Sequence, residues 1–187
     1  MYEEKARKRS CNKKTSRSNR GVEIEKEIKK EKKEKAGLSC CKINYFLKNV
    51  PNYHGCYSPD QLDHLLIESL PIKFILNLDF SNKEGSHWIA VRIDKRSIEL
   101  FDSLGFRLDK WPSVPNKFLI FLQKMIHNRK LYTSRELQPS DSTLCGFYCI
   151  FYFLFREKLP FRKIVNFFSY SLRKNDKILA DLLYKIK

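Results

Sequence analysis

The chain has 187 residues, with 37 Lys+Arg against 21 Asp+Glu for a formal charge of +16, and is 42% hydrophobic and 13% aromatic. One compact domain with an appendage fits these figures; a chain unfolded throughout is excluded, because 14 Phe, 9 Tyr and 2 Trp carry more ring surface than water tolerates. The longest apolar stretch, residues 146–155, falls well short of the roughly 20 residues that span a bilayer, and the charged start Met1-Tyr2-Glu3-Glu4-Lys5 predicts no secretory signal. Six Cys, at positions 11, 40, 41, 56, 145 and 149, are therefore expected as thiols in a reducing compartment.

Residues 1–36 hold 14 Lys+Arg against 7 Asp+Glu, a net of +7, which leaves +9 on the rest. Only Tyr2, Val22, Ile24 and Ile28 are large and apolar there, too few to offset the entropy of ordering the segment. Residues 1–38 are thus expected to be a basic, disordered tail, its second half a transient solvated helix supported by pairs such as Glu25/Lys29, and residues 39–187 the folded domain. The clusters Arg7-Lys8-Arg9 and Lys13-Lys14 suit nuclear import or nucleic-acid contact, and equally a solubilising extension.

In the body, a short helix is expected over residues 43–48, and Ser58-Pro59-Asp60 is a helix start for residues 61–70, with Leu62, Leu65 and Leu66 on one face and Pro71 as the stop. Residues 72–80 read as a buried strand. Residues 87–93 and 97–102 form a predicted hairpin; its cross-strand pairs sum to 189 or 191 according to loop length, and in either register His87 and Asp102 are neighbours beyond an Ile/Val/Leu face. A helix over 114–127, a strand at 131–133, a polar linker at 138–143, a helix over 144–157 that is apolar all round, and helices over 160–168 and 174–186 complete the series.

Asp141, Ser142 or Thr143 is expected to cap the buried helix, which places Cys145 in its first turn, where free backbone N–H groups favour a thiolate. His87, held in one tautomer by Asp102, is the candidate base for that thiol. The backbone N–H of Cys145 and the side-chain amide of Gln138 are candidate oxyanion donors, and Gly146 leaves room for a substrate backbone. Singly, a hairpin His is usually a packing residue and a Cys in an apolar helix is usually core; the conjunction of a His–carboxylate pair with a Cys at a helix start is what argues for a site. Cys40, Cys41, His54 and Cys56 match no zinc-finger or ribbon spacing, so no metal is expected, and His64 and His127 are expected at exposed positions.

The motifs Gly85-Ser86-His87-Trp88, Phe101-Asp102-Ser103-Leu104-Gly105, Leu137-Gln138 and Cys145-Gly146-Phe147-Tyr148-Cys149 resemble those of the adenovirus endopeptidase (adenain) family, within the clan that includes the SUMO- and ubiquitin-like-specific cysteine proteases. Tyr45-Phe46-Leu47 and Ser58-Pro59-Asp60-Gln61-Leu62 extend the resemblance, which covers about residues 43–155. It implies an α+β fold, a mixed β-sheet packed on a central buried helix that carries the nucleophile. It further implies Cys145 as nucleophile, His87 as base, Asp102 as orienting carboxylate, Gln138 as oxyanion donor, and Trp88 and Gly146 as substrate-binding residues. A cysteine endopeptidase cutting Gly-Gly-type sites in a viral or virus-like element is the function implied; a SUMO- or ubiquitin-like-specific deconjugating protease, and a DNA-binding protein with a vestigial site, are the alternatives.

No cofactor is expected for the chemistry, with DNA as a candidate activator through the basic tail and body. The disulfide-linked peptide activator of the adenovirus enzymes has no counterpart Cys within residues 125–136. The expected partners are protein substrates and nucleic acid but no membrane, for a monomer in the host nucleus or virion, or otherwise in nucleus or cytoplasm.

Overall fold

A computed structural model describes residues 20–34, 37–105 and 115–184. The basic clusters at 7–9 and 13–14, Cys11 and the expected packing of residues 185–186 lie outside the described residues. Strands β1 (Tyr53–Tyr57), β2 (Ile72–Asn77), β3 (Trp88–Ile93), β4 (Ser97–Phe101) and β5 (Lys130–Thr133) form one sheet in sequence order. The β2–β3 and β3–β4 pairs are antiparallel, the outer pairs β1–β2 and β4–β5 parallel. Every residue of β2 is buried; Ile72, Phe74, Ile75 and Leu76 suit a strand covered on both faces, and the buried Lys73 ammonium donates to the Pro51 carbonyl at 2.8 Å and to Glu157.

Alternation along the strands sorts two cores. Ile75, Ala90 and Phe101 face α4 (Cys145–Arg156), whose residues 145–153 are all buried. Phe74, Leu76, Val91 and Leu100 face the opposite way, onto Phe118 and Leu122 of α3 (Asn116–Ile126). The far end of α4 is tied to the sheet through buried Glu99, which accepts the Tyr152 hydroxyl and a two-pronged contact from Arg156 at 2.7 and 2.8 Å. The fold is therefore α+β, with a mixed sheet against a central buried helix.

Two expectations change and a third is narrowed to one of its alternatives. Residues 20–34 form helix α1 (Arg20–Glu34), and it is packed instead of solvated: Ile24 and Ile28 are buried in one core with Leu179 and Leu183 of α6 (Leu172–Tyr184). Two Ile at i,i+4 make too thin a stripe to order a helix alone, but α6 supplies the covering surface, while Lys42 and Tyr45 of α2 (Cys40–Leu47) meet Glu27 and Glu23. The helix expected over 61–70 is a single 3₁₀ segment, Pro59–His64, started by a reciprocal Ser58/Gln61 capping box. Leu62 and Leu65, three apart, are buried as a three-residue turn allows, whereas Leu66 is 70% exposed. In the β3–β4 hairpin Ile93 pairs with Ile98 and Ala90 with Phe101, so the 191 register holds and His87 and Asp102 are diagonal neighbours.

Candidate active site

Strict alternation would aim His87 with Ile89 and Val91 toward α3. It lies beyond the last ladder pair, Asn77 with Trp88, where the chain is free to deliver the imidazole to the N-terminus of α4. Gly85 makes that turn at φ +95°, and a Cβ there would come within 2.6 Å of the Asn77 amide, so glycine is required on both grounds. At the far end of β4, Asp102 is fully buried and takes His87 Nε2 on Oδ1 at 2.6 Å, an oxygen that also accepts the Leu104 N–H at 2.9 Å. Oδ2 is buried with no hydrogen-bond partner among the described residues, so the positive charge nearest to the carboxylate is the one His87 can carry.

Cys145, 6% exposed, is the first residue of α4, and its side chain interacts with the same ring. Burial alone would lower the basicity of His87, but the hydrogen bonds and negative charge of Asp102 and Cys145 outweigh it and raise the imidazole pKa from 6.5 to about 10. The resting His87 ring is thus an imidazolium, a form that donates a proton readily. The helix start has Leu144 at the cap position with no side-chain cap, in place of the expected Asp141, Ser142 or Thr143; Ser142 Oγ donates to Asp176, at 3.0 and 3.2 Å from its two carboxylate oxygens, and accepts the N–H of Leu144 itself at 3.4 Å. First-turn N–H groups are left for whatever negative charge forms at Cys145.

Gln138 is 1% exposed and its orientation is set at both ends: Oε1 accepts from Ser103 Oγ at 2.6 Å and Nε2 donates to the Ser142 carbonyl at 2.6 Å, leaving one amide N–H. Ser103 also receives the backbone N–H groups of Leu137 and Gln138 on its carbonyl at 2.7 and 2.8 Å. The turn after β4 therefore positions two groups at once, His87 through Asp102 and Gln138 through Ser103. Gly105 allows this close approach, since a Cβ there would lie 2.7 Å from the Glu136 nitrogen.

Sequence reasoning missed four supports. Ser103 and Ser134 flank the Asp102 backbone, with Ser134 Oγ accepting the Asp102 N–H at 2.8 Å. Asn175 and Asp176 on α6 hold the Gln138 loop, Asn175 by a 2.7 Å bond to the Leu137 carbonyl and Asp176 through Ser142 and the Tyr148 hydroxyl. Ser103 was visible as the neighbour of Asp102; Asn175 has no local signal, since a polar residue in an amphipathic helix reads as solvent-facing.

Trp88 stands in the cleft beside Cys145, whereas Gly146 takes a different part from that expected. Trp88 Nε1 donates to the Leu38 carbonyl at 2.8 Å, and with Leu38, Cys40, Phe80 and Cys145 it lines a cleft of about 540 Å³. Gly146 faces protein: a Cβ on it would lie 2.9 Å from Leu38 Cβ and 3.3 Å from Ile43 Cδ1, so its bare Cα admits Leu38 and no room for a substrate backbone remains on that side. Gly146→Ala is expected to destabilise the chain by about 1–3 kcal/mol through overpacking, read as a lower denaturant midpoint at unchanged m-value. Cys149 is core, its thiol 3.4 Å from the Trp88 carbonyl. His64 is exposed and His127 follows α3. Among the described residues no group of three or more His, Cys, Asp or Glu is placed to hold a metal ion.

A thiol at a helix start, an imidazole against it, a buried carboxylate behind the imidazole and an oriented amide beside it form the constellation of a thiol hydrolase. Among solved structures the chain is similar to the ASFV pS273R protease, at 27% identity and TM-score 0.40, over 61% of this chain and 43% of that one, so it spans less than half of that protease's length. It is also similar to the SUMO protease Ulp1, described with its catalytic cysteine oxidised to a sulfenic acid, at 14% identity and TM-score 0.42, over 93% of this chain and 98% of that one. Both belong to the SUMO-protease-like clan of cysteine proteases. No protein-family model and no curated protein matches the sequence.

Proposed function

We propose that the chain is a cysteine endopeptidase acting on Gly-containing, Gly-Gly-type sites in protein substrates. The observation that carries this reading is the buried Asp102–His87 pair set against Cys145, the first residue of α4, at the wall of the described cleft. The thiolate attacks the scissile carbonyl carbon, and the carbonyl π electrons move to oxygen. The Cys145 N–H and the remaining Gln138 N–H stabilise that oxyanion. As the C–N bond breaks, the His87 imidazolium gives its proton to the leaving amine; the neutral ring then takes a proton from water, whose hydroxide releases the acyl group from sulfur and regenerates the thiolate.

Gly selectivity is supported by the setting of Cys145 among Trp88 and residues 37–40, where the Trp88–Leu38 bond fixes a bulky ring beside the thiol. The test is hydrolysis of a fluorogenic peptide panel with Gly-Gly, Ala-Gly and Ala-Ala before the scissile bond: kcat/KM is expected to fall by at least about tenfold for each added methyl, on the scale of one methyl group in a tight pocket. Equal rates across the panel would remove the Gly assignment and leave the hydrolase. Gln138→Ala is expected to lower kcat by about 10²–10³-fold with KM little changed, as loss of one oxyanion donor does.

Within this proposal the element is viral or virus-like and the protease matures precursor proteins as a monomer in the nucleus or virion, with DNA as activator. The charge of +16 supports the last part, since a polyanion that gathers enzyme and substrate needs such a field. Trimming of purified SUMO or ubiquitin-like tails in preference to linear precursors would move the substrate to the deconjugating class; salt-dependent DNA binding with no turnover would favour the vestigial-site reading.

A further inference from the structure

Besides Cys145, the same cleft presents a second thiol. Cys40 is the first residue of α2, lines the cleft and is half-buried. Its sulfur accepts the Asn44 amide at 3.4 Å and interacts with the Cys56 side chain. Cys56 comes from β1, whose pairing with β2 slips between Tyr53 and Cys56: three steps along β1 match two along β2. That bulge puts Tyr53 and Cys56 on the same face, toward α2, where plain alternation would have separated them. The Tyr53 hydroxyl then donates to Asn44 Oδ1 at 2.8 Å and lies 3.5 Å from Cys56 Sγ, while Cys56 Sγ is 3.9 Å from the Cys40 carbonyl. An Asn–Tyr pair thus holds two thiols side by side, one facing the cleft and one behind it.

The two thiols differ in reactivity. The hydrogen bond from Cys56, aided by that from Asn44 and opposed by burial, brings Cys40 down to about 7, whereas burial pushes Cys56 well up. The start of a helix adds to the stabilisation of charge on Cys40.

We propose that Cys40 and Cys56 form a reversible oxidation site, with Cys40 as the peroxide-reactive thiol and Cys56 as its resolving partner. The Cys40 thiolate attacks one oxygen of hydrogen peroxide, the O–O bond breaks, and the departing hydroxide takes a proton to leave as water, with sulfenic acid on Cys40. The Cys56 sulfur then attacks the sulfenic sulfur, its proton leaving with the hydroxyl as a second water, and the S–S bond forms. Sulfur gives up two electrons in all and peroxide takes them. Neither step uses Cys145, so the site does not depend on the protease reading.

The test treats the reduced full-length chain with graded hydrogen peroxide, blocks the remaining thiols and maps every Cys by peptide mass spectrometry, with and without a dithiothreitol step. A Cys40–Cys56 disulfide is expected to form before Cys41 is modified and to return fully to thiols with dithiothreitol. In Cys56→Ser, Cys40 is expected to pass to sulfinic acid, which dithiothreitol does not reverse, so that the recoverable fraction of Cys40 falls sharply at the same peroxide dose. The Cys145→Ala chain, with the competing cleft thiol removed, is expected to form the same disulfide. Cys40 and Cys56 remaining free while Cys145 oxidises, or Cys40 joining Cys41 or Cys145 instead, overturns the proposal, and the wild-type map alone decides it should Cys56→Ser fold poorly.

Discussion

Cys145→Ala is expected to abolish peptide hydrolysis, a fall of about 10⁶-fold in kcat, and to remove the adduct that a thiol-directed electrophile leaves on the protein. The size follows from what the substitution takes away. The oxyanion donors and the cleft remain, but no covalent route is open, and donors with binding alone sustain only a small residue of catalysis. The fold is expected to survive, because Cys145 lies at the cleft wall at 6% exposure and Ala keeps its Cβ and helix propensity. Turnover, intact-mass labelling and circular dichroism on one preparation separate the possibilities. Labelling with persistent turnover and the adduct mapped to Cys40 would transfer the role to the other thiol of the cleft.

Asp102→Asn is expected to lower kcat by about 10³–10⁴-fold while leaving the chain folded, since an amide in the same place no longer holds the imidazole in its working tautomer or balances its charge. The pH dependence separates this from a packing defect. Burial of His87 favours the neutral ring, and the bonds and charges of Asp102 and Cys145 overturn that, raising its pKa from 6.5 to about 10. A raised pKa means that the folded state binds the proton more tightly than the unfolded chain does. This contribution to stability is complete below pH 6.5 and is lost as pH climbs through about 10. In Asp102→Asn the His87 titration, followed by NMR, is expected to move down, and the decline of the denaturant midpoint across that window to become shallower. An unchanged titration would mean that Cys145 alone holds the imidazolium.

Much of this site was legible in the sequence because it is built from local rules. The approach of His87 to Asp102 follows from hairpin pairing, which limits the register to a few choices, and the placement of Cys145 at a helix start follows from a polar linker meeting a wholly apolar run. Gly146 was not legible in the same way: its smallness reads as space, and only the position of Leu38 shows which group occupies that space. The Gln138 loop is held by Asn175 and Asp176 from the other end of the domain, contacts between residues more than thirty apart that carry no local pattern.

By itself, then, the sequence determined the buried helix, the approach of His87 to Asp102 and the place of Cys145 at a helix start, since hydrophobic period, turn residues and pairing register are properties of neighbouring positions, while the α+β plan was what the family resemblance implied. Tertiary structure alone decided that α1 is a packed helix, that the 3₁₀ segment stops at His64, that Trp88 is tied to Leu38 and that β1 slips to set Cys56 beside Cys40. The reason is common to all four. Each depends on whether a surface from a distant segment arrives to cover an apolar stripe, accept an N–H or absorb an extra residue, and marginal local preferences are settled by that arrival.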